Sequence, residues 1–144
     1  MQLRTQREAL RGCHTLAALV RSDGTTVMVS WREREARNEA RFRTQNEWVQ
    51  TTGVAPGLLL AFVCECGDGE CGRSISLTAN EYEFVRATSN RFAIALNHEN
   101  PESEIVISEC DRFAVIDKIE GWGLLISRET DPRSSSGWQP RTPA

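Results

Sequence analysis

Hydrophobic and polar residues follow one pattern in residues 31–50 and another in the rest of the chain. The 31–50 segment contains no Gly or Pro and few apolar side chains. Ser30 and Glu33 match the capping-box pattern, and Glu33 and Arg37 form an acid-to-base pair four residues apart. We therefore predict a charged helix over residues 30–50 that lacks a broad apolar stripe.

From Leu58 onward the pattern becomes strand-like. Residues 58–64 form a continuous apolar run, and residues 73–77 alternate between polar and apolar side chains. Thr78 and Glu81 then form a second capping box, which predicts a short helix reaching about residue 87. Four later segments also have strand-like patterns: 91–96, 104–109, 112–118 and 123–128. The short connections at 110–111 and 120–121 are typical of hairpins.

These elements predict an α+β fold with a small, mainly antiparallel sheet, one short helix and a longer charged helix N-terminal to the sheet. A length of 144 residues suits one domain with flanking segments. We expect a weakly ordered segment at 1–29, the charged helix at 30–50, the α+β domain at 58–130 and a disordered Pro/Ser-rich tail at 131–144. Met28, like Met1, is a candidate translation start. The lack of an apolar run near 18 residues argues against a membrane span.

Charge is distributed unevenly. Residues 1–57 carry nine Arg and six acidic residues, a net charge of +3, whereas residues 58–131 carry six basic and fourteen acidic residues, a net charge of −8. A nucleic-acid-binding surface is normally basic, and the acidic part of the chain is the one that contains most of the cysteines. This distribution argues against a nucleic-acid partner.

Three cysteines lie within eight residues, in the segment FVCECGDGECGRSISL at 62–77. Cys64, Cys66 and Cys71 form a C-x-C-x4-C pattern, and a tetrahedral zinc ion bound by three thiolates needs a fourth ligand. Three glycines in the same loop are expected to allow positive φ angles that bring Cys71 back toward the other two sulfurs: Gly67, Gly69 and Gly72. The chain has five cysteines, an odd number that fits a reducing cytoplasm better than a secreted disulfide framework.

His98 is the predicted fourth ligand, because it follows a predicted strand in a loop that can return to the same edge of the sheet. Cys110 is the main rival for that position. The metal hypothesis competes with reduced structural cysteines and with a Cys64–Cys71 disulfide. An iron–sulfur cluster is a lesser alternative, because such clusters usually take four cysteines. We predict Zn²⁺ held by Cys64, Cys66, Cys71 and His98.

The chain resembles a family of small, uncharacterised actinobacterial proteins. The shared motifs are a charged R-N-E-A-x-F-R-x-x-N-E helix, a C-E-C-x4-C knuckle, a T-x-x-E-Y-E-x-V-R helix, an H-E-x-P loop and a D-R-[FY]-x-V strand. The resemblance covers roughly residues 36–131 and includes the three clustered cysteines and His98. It implies a fold and a metal site, but the family has no assigned activity to transfer.

Three functions are compatible with these patterns. The first is a non-enzymatic, zinc-stabilised binding or regulatory module with a protein partner. The charged helix would then supply the partner contacts, with four candidates: Arg37, Arg41, Phe42 and Trp48. The simpler interpretation of the helix is a solvated element pinned by Phe42 and Val49.

The second function is a thiol redox switch, in which oxidation of the zinc-bound cysteines releases the metal and Cys110 serves as a resolving thiol. The third is a zinc enzyme in which a water takes the place of His98 on the metal and Glu65, Glu70 or Glu99 acts as the base. The simpler interpretation of these three acids is exposed loop residues. The sequence contains no H-E-x-x-H motif. We therefore expect a cytoplasmic protein that is not an enzyme.

Overall fold

The structure is a computed structural model that describes residues 16–20, 26–50, 55, 57–119 and 121–134. Its strands and helices follow in this order: β1 (Leu16–Val20), β2 (Thr26–Ser30), α1 (Trp31–Gln50), β3 (Leu60–Val63), β4 (Ser74–Leu77), α2 (Ala79–Arg86), β5 (Arg91–Ile94), β6 (Glu104–Glu109), β7 (Ala114–Lys118) and α3 (Gly121–Glu129). The α+β prediction is confirmed.

The described strands all pair in antiparallel fashion. They form a β1–β2 pair, a β3–β4 hairpin and a three-stranded sheet in the order β5–β7–β6. The ladder between β6 and β7 contains an irregularity between Val106 and Ser108. The β3–β4 hairpin is tied to the sheet just beyond its own ladder, where the Glu65 N–H donates to the Ala93 carbonyl at 2.8 Å.

Helix α2 begins as the sequence predicts. The Glu81 N–H donates to the Thr78 hydroxyl at 3.2 Å, and the Thr78 N–H donates to the Glu81 carboxylate at 2.8 Å, which completes the capping box. This start turns Tyr82 inward, where its ring stacks on Phe62 with a centroid distance of 4.5 Å. The core therefore lies between the β3–β4 hairpin, α2 and the three-stranded sheet.

One predicted strand is wrong: residues 123–128 lie in helix α3 rather than in a strand. The buried positions are Gly123, Ile126 and Ser127, a helical spacing in which two of the three residues are small. Leu125 is 45% exposed, so the apolar run that suggested a strand does not mark the buried face. The predicted hairpin at 120–121 is therefore also wrong, and Gly121 adopts a φ of 74° where the helix begins.

Helix α1 spans the predicted segment, and both local signals for it are confirmed. The Glu33 N–H donates to the Ser30 hydroxyl at 3.2 Å, and Arg37 pairs with Glu33 at 3.1 Å. However, the helix is not a solvated element. Its buried face consists largely of polar residues, which a search for apolar periodicity does not detect: Ala36, Glu39, Ala40, Phe42, Arg43, Asn46 and Glu47.

Arg43 shows how α1 is attached to the rest of the protein. Its guanidinium is fully buried, donates to the Ser127 carbonyl of α3 at 2.9 Å, and lies 4.8 Å from the centre of the Phe92 ring in β5. One turn further along, Glu47 pairs with the buried Arg86 of α2. Since each of these charges would be costly to bury alone, α1 is held by specific partners on three neighbouring elements.

Lys118, the only lysine in the sequence, is surrounded by carboxylates. Its ammonium group lies 3.1 Å from Glu35, 2.8 Å from Glu39 and 3.1 Å from Glu104. Burial alone would lower the pKa of Lys118, but the three carboxylates raise it. Lys118 is only 2% exposed, so this ion cluster is an internal link between α1, β6 and β7.

The folded region extends past its predicted end at residue 130. Asp131 is buried and pairs with Arg86, and Pro132–Ser134 form a single 3-10 turn. Residues 131–134 therefore belong to the folded part instead of the predicted disordered tail, whereas 135–144 lie outside the described residues. Of the N-terminal segment predicted to be weakly ordered, β1 and β2 are described, with Met28 opposite Ala18, whereas residues 1–15 and 21–25 lie outside the described residues.

We predict that Lys118→Met lowers the free energy of unfolding by about 3–5 kcal/mol, because it leaves the acidic side chains of Glu35, Glu39 and Glu104 buried without a cation. Lys118→Arg should lose much less, since it keeps the charge. Urea unfolding at neutral pH measures both variants. An equal loss for Met and Arg would show that packing, not charge, determines the contribution of Lys118.

We also predict opposite pH effects for two carboxylates of this cluster. Burial raises the pKa of Glu39 well above its usual value, whereas burial of Glu35 is outweighed by Lys118 and its hydrogen bonds, so that its pKa is lowered. Glu39 therefore takes up a proton on folding. Its contribution to the free energy of unfolding is lost as pH rises from its unfolded pKa toward its folded one.

Glu39→Gln should thus become more stable relative to wild type as pH rises from about 5 to 8. The deficit of Glu35→Gln should stay constant over that range and shrink only as pH falls below 4.5, the usual pKa of the carboxyl group. Parallel curves for the three proteins in urea unfolding against pH would contradict the assignment of the proton to Glu39.

Candidate metal centre

The three clustered cysteines lie in the connection between β3 and β4. The Cys64 N–H donates to the Arg73 carbonyl at 2.8 Å, which closes the hairpin at the base of the loop. Within the loop, the Cys71 N–H donates to the Asp68 carbonyl at 3.0 Å, and this turn reverses the chain toward Cys64 and Cys66. The ladder between β3 and β4 thus gives the cysteines a rigid base.

His98 reaches the same place from the end of β5. The His98 N–H donates to the Ala95 carbonyl at 3.1 Å, forming a tight turn in which Asn97 has a φ of 66°. Asn tolerates this left-handed conformation better than most residues. The turn places His98 Nδ1 3.6 Å from the sulfur of Cys64 and 3.6 Å from that of Cys71.

The four groups fit a tetrahedral metal ion. Their ligand atoms all lie within 4.8 Å of one another. A zinc ion bound to sulfur at about 2.3 Å and to nitrogen at about 2.0–2.1 Å holds those two ligand atoms about 3.5 Å apart, close to the distances from His98 to two of the sulfurs. Cys64, Cys66, Cys71 and His98 are therefore close enough to bind one metal ion together.

Two of the competing interpretations do not agree with this geometry. All four described cysteines have free thiols, so the Cys64–Cys71 disulfide is not formed. Cys110, the rival fourth ligand, is not part of the group and lies in the β6–β7 connection, where its sulfur accepts from the Arg112 N–H at 3.5 Å. His98 completes the set, as the sequence predicted.

The thiols influence one another strongly at these distances. The hydrogen bond with Cys64, together with burial, raises the pKa of the Cys66 thiol, and burial raises the pKa of the Cys71 thiol. Backbone N–H groups of Asp68 and Arg73 act in the opposite direction on these pKa values. The Ala95 N–H also donates to the Cys64 sulfur at 3.1 Å. Such N–H groups suit sulfurs that carry negative charge on a bound cation.

Helix α1 closes the outer side of the cysteine loop. Asn38 donates to the Gly67 carbonyl at 3.0 Å, and Arg41 donates to the Gly69 carbonyl at 3.0 Å. Glu35, one turn earlier, accepts from Asn100 at 2.9 Å in the loop that carries His98. Since these three α1 residues are spaced by three, a single face of the helix holds both loops of the candidate metal centre in position.

Asn46 holds the strand that leads into the site. Its side-chain amide donates to the Val63 carbonyl at 2.8 Å and accepts from the Val63 N–H at 2.8 Å, as a neighbouring β-strand would. The same amide donates to Glu65 at 3.0 Å. No specific signal in the sequence points to Asn38 or Asn46. The spacing of Glu35, Asn38 and Arg41 is visible, but polar residues at this spacing normally face solvent.

The simpler interpretation of Glu65 as an exposed loop acid is wrong. It is fully buried between two of the cysteines, and its carboxylate accepts from Asn46, from the Tyr82 hydroxyl at 2.7 Å and from the Ala93 N–H at 2.9 Å. Burial raises the pKa of Glu65, while these hydrogen bonds lower it in part. Glu65 therefore links α1, α2 and β5 to the cysteine loop, and protein hydrogen-bond donors occupy its carboxylate oxygens. Of the other two proposed bases, Glu70 is exposed and Glu99 is half-buried.

The expected role of the loop glycines is wrong. Positive φ angles are found at Gly57 and Gly121 among the described glycines, and not in the cysteine loop. Gly67 is required instead for close approach, because a Cβ at that position would lie 1.9 Å from Cγ of Glu35. A Cβ at Gly69 would lie 3.1 Å from the Asn38 side chain, whereas Gly72 has open space.

The four residues proposed for partner contact differ in their exposure and in the contacts they make. Phe42 is 6% exposed and belongs to the interior, and Arg41 is exposed but already bound to Gly69. Arg37 is exposed and paired with Glu33, while Trp48 is 59% exposed. These four side chains therefore do not form one continuous exposed surface.

No family model, curated protein or solved structure matches this chain. Among the described residues, no helix is both long and apolar enough to cross a membrane.

We predict that Gly67→Ala lowers the free energy of unfolding by about 1–3 kcal/mol, because the new methyl group collides with a Glu35 side chain that is fixed by Asn100 and Lys118. It should also weaken zinc binding, measured by competition with a chromophoric chelator. Gly72→Ala is the matched control and should leave both quantities unchanged. Equal effects of the two substitutions would contradict the role assigned to close packing against α1.

Proposed function

We propose that this protein is a non-enzymatic binding or regulatory module whose fold is stabilised by one zinc ion held by Cys64, Cys66, Cys71 and His98. The observation that carries this proposal is the convergence of three sulfurs and one imidazole nitrogen within 4.8 Å. Zinc is the metal that best suits a tetrahedral set of thiolate and imidazole ligands, and such sites are typical of small domains that need a metal to fold.

The donor set supports a structural role in preference to a catalytic one. Four protein ligands complete a tetrahedral coordination sphere, so no position remains for a substrate or a reactive water. Glu65, the acid nearest to the cysteines in sequence, is enclosed by three hydrogen-bond donors. Neither feature provides the open metal position or the available base that a zinc hydrolase uses.

The location of the site also supports a structural role. Zinc at this point would join the β3–β4 hairpin to the loop after β5, and α1 already contacts both through Asn38 and Glu35. A metal that fixes these two loops would stabilise the whole region around them. The function that remains is recognition of a protein partner by the surface of this stabilised domain.

We expect one zinc ion per chain in protein purified without chelators, measured by inductively coupled plasma mass spectrometry. Cys66→Ser and His98→Ala should lose the metal or bind it at least tenfold more weakly, because each removes a ligand. Cys110→Ser is the matched control, since it removes a thiol outside the group, and it should keep one zinc ion. Wild-type protein without metal would overturn the proposal, as would an equal loss in Cys110→Ser.

We further expect that removal of the metal by a strong chelator lowers the midpoint of thermal unfolding by more than about 10 °C. Added zinc should restore it in wild type and in Cys110→Ser, but not in Cys66→Ser. A catalytic or weakly attached ion would instead leave the melting curve nearly unchanged.

A further inference from the structure

We propose that the outer edge of β6 is a docking strand that binds an extended protein segment with apolar residues in its centre and Lys or Arg at its ends. This inference deepens the proposed function, on which its biological meaning rests, because it gives the binding module its contact surface. It differs from the charged-helix surface suggested by the sequence, since α1 buries four of its polar side chains inside the protein: Glu39, Arg43, Asn46 and Glu47.

The first observation is the exposure of apolar residues on β6. Ile105 is 51% exposed, Val106 40% and Ile107 39%. The strand lies at the margin of the β5–β7–β6 sheet, and the described part of the chain places no further strand beside it. Natural edge strands are usually protected by charges, prolines, bulges or covering elements. The β6 ladder has an irregularity between Val106 and Ser108, but the centre of its exposed edge carries no charge or proline, so it can still pair with another chain.

The second observation is the direction of the backbone groups. The Lys118 N–H donates to the Asn90 carbonyl at 2.9 Å, so the polar groups of Lys118 point toward β5 and away from its β6 partner, Glu104. Hydrogen-bonded and non-hydrogen-bonded pairs alternate along an antiparallel ladder. The Val106–Ile116 pair, two steps further along, is therefore also of the non-hydrogen-bonded kind. The N–H and C=O of Val106 point outward, where an added strand would meet them.

The opposite margin of the same sheet is already covered. At β5, the Glu65 N–H donates to Ala93, and the Ala93 N–H donates back to the Glu65 carboxylate at 2.9 Å. The metal-binding hairpin therefore protects one edge of the sheet. Of the two edges, β6 is the one that the described residues leave open to strand addition.

Charge indicates which partner fits. Glu102, Glu109 and Asp111 are exposed at or just beyond the ends of β6. The nearby basic side chain of Arg112 is already paired with Glu81 at 2.6 Å. A second copy of β6 would bring the same acidic ends against these, and like charges on adjacent strands are unfavourable. A strand that ends in Lys or Arg meets opposite charge at both ends, so we favour a basic partner segment over self-pairing.

The test uses the zinc-loaded full chain and a fluorescein-labelled synthetic peptide of about ten residues, with Lys and Arg at both ends and alternating Val and Thr in the centre. We expect the fluorescence anisotropy to show saturable binding that weakens as salt is raised. A peptide with Glu in place of Lys and Arg should bind at least about tenfold more weakly. Absence of binding by the basic peptide, or equal binding by both peptides, would overturn the proposal.

Two variants locate the binding site. Ile107→Lys adds a positive charge to the edge, and Val106→Pro removes the outward N–H, a change that edge strands tolerate. Each should weaken peptide binding at least tenfold. Trp122→Lys is the matched control, because it adds the same charge at a residue that is 63% exposed on α3, and it should bind normally. A loss that is equal in Trp122→Lys would place the contact elsewhere and contradict the inference.

Metal content and melting temperature, measured on the same samples, separate this inference from the proposed function. Protein that contains no metal when purified without chelators, and that still binds the peptide through β6, would overturn the zinc proposal and leave the docking strand intact. Zinc-loaded protein that does not bind would do the reverse. Concentration-dependent dimers of wild type that disappear in Ile107→Lys would show that a second copy occupies the edge, and would overturn the assignment of a basic partner.

Discussion

The fold depends on the way in which helix α1 buries charged and amide side chains against partners on other elements. A helix with an apolar stripe can slide or rotate on a core at modest cost, but a buried guanidinium or carboxylate requires its partner at hydrogen-bonding distance. Arg43 meets a carbonyl of α3, Glu47 meets Arg86 of α2, and Glu39 meets Lys118 of β7. These pairs fix the position and rotation of α1, and they thereby also fix the loops that pack against this helix.

The candidate metal centre is the clearest example of this dependence. Its sulfurs and its imidazole come from two loops that follow different strands, and α1 contacts both loops from the same side. Glu35 combines two of the constraints, since its carboxylate joins the Lys118 cluster and its Cγ lies against Gly67. The ion cluster in the interior and the geometry of the cysteine loop are therefore parts of one arrangement, even though they differ in chemistry.

Local signals in the sequence predicted the parts of the structure that local interactions determine. The capping box at Thr78 and Glu81 and the alternating strand within 73–77 follow from contacts between near neighbours, and both are confirmed. The three clustered cysteines and His98 lie close enough to bind a metal ion. The failures occur where the buried residues are small or polar. Helix α3 was mistaken for a strand because its buried face is made of Gly123, Ile126 and Ser127, and small residues carry little hydrophobic signal. The burial of Asn46 and Glu65 was not predicted, because partners distant in sequence determine it.

The burial of Lys118 has a consequence for the chemistry of the protein surface. Every other basic side chain apart from the two histidines is an arginine, so the folded protein presents no accessible side-chain amine. Enzymes that acetylate or otherwise acylate lysine, and amine-directed reagents in general, find no side-chain target until the ion cluster around Lys118 opens. The reactivity of that single amine is therefore a chemical reporter of unfolding in this part of the molecule.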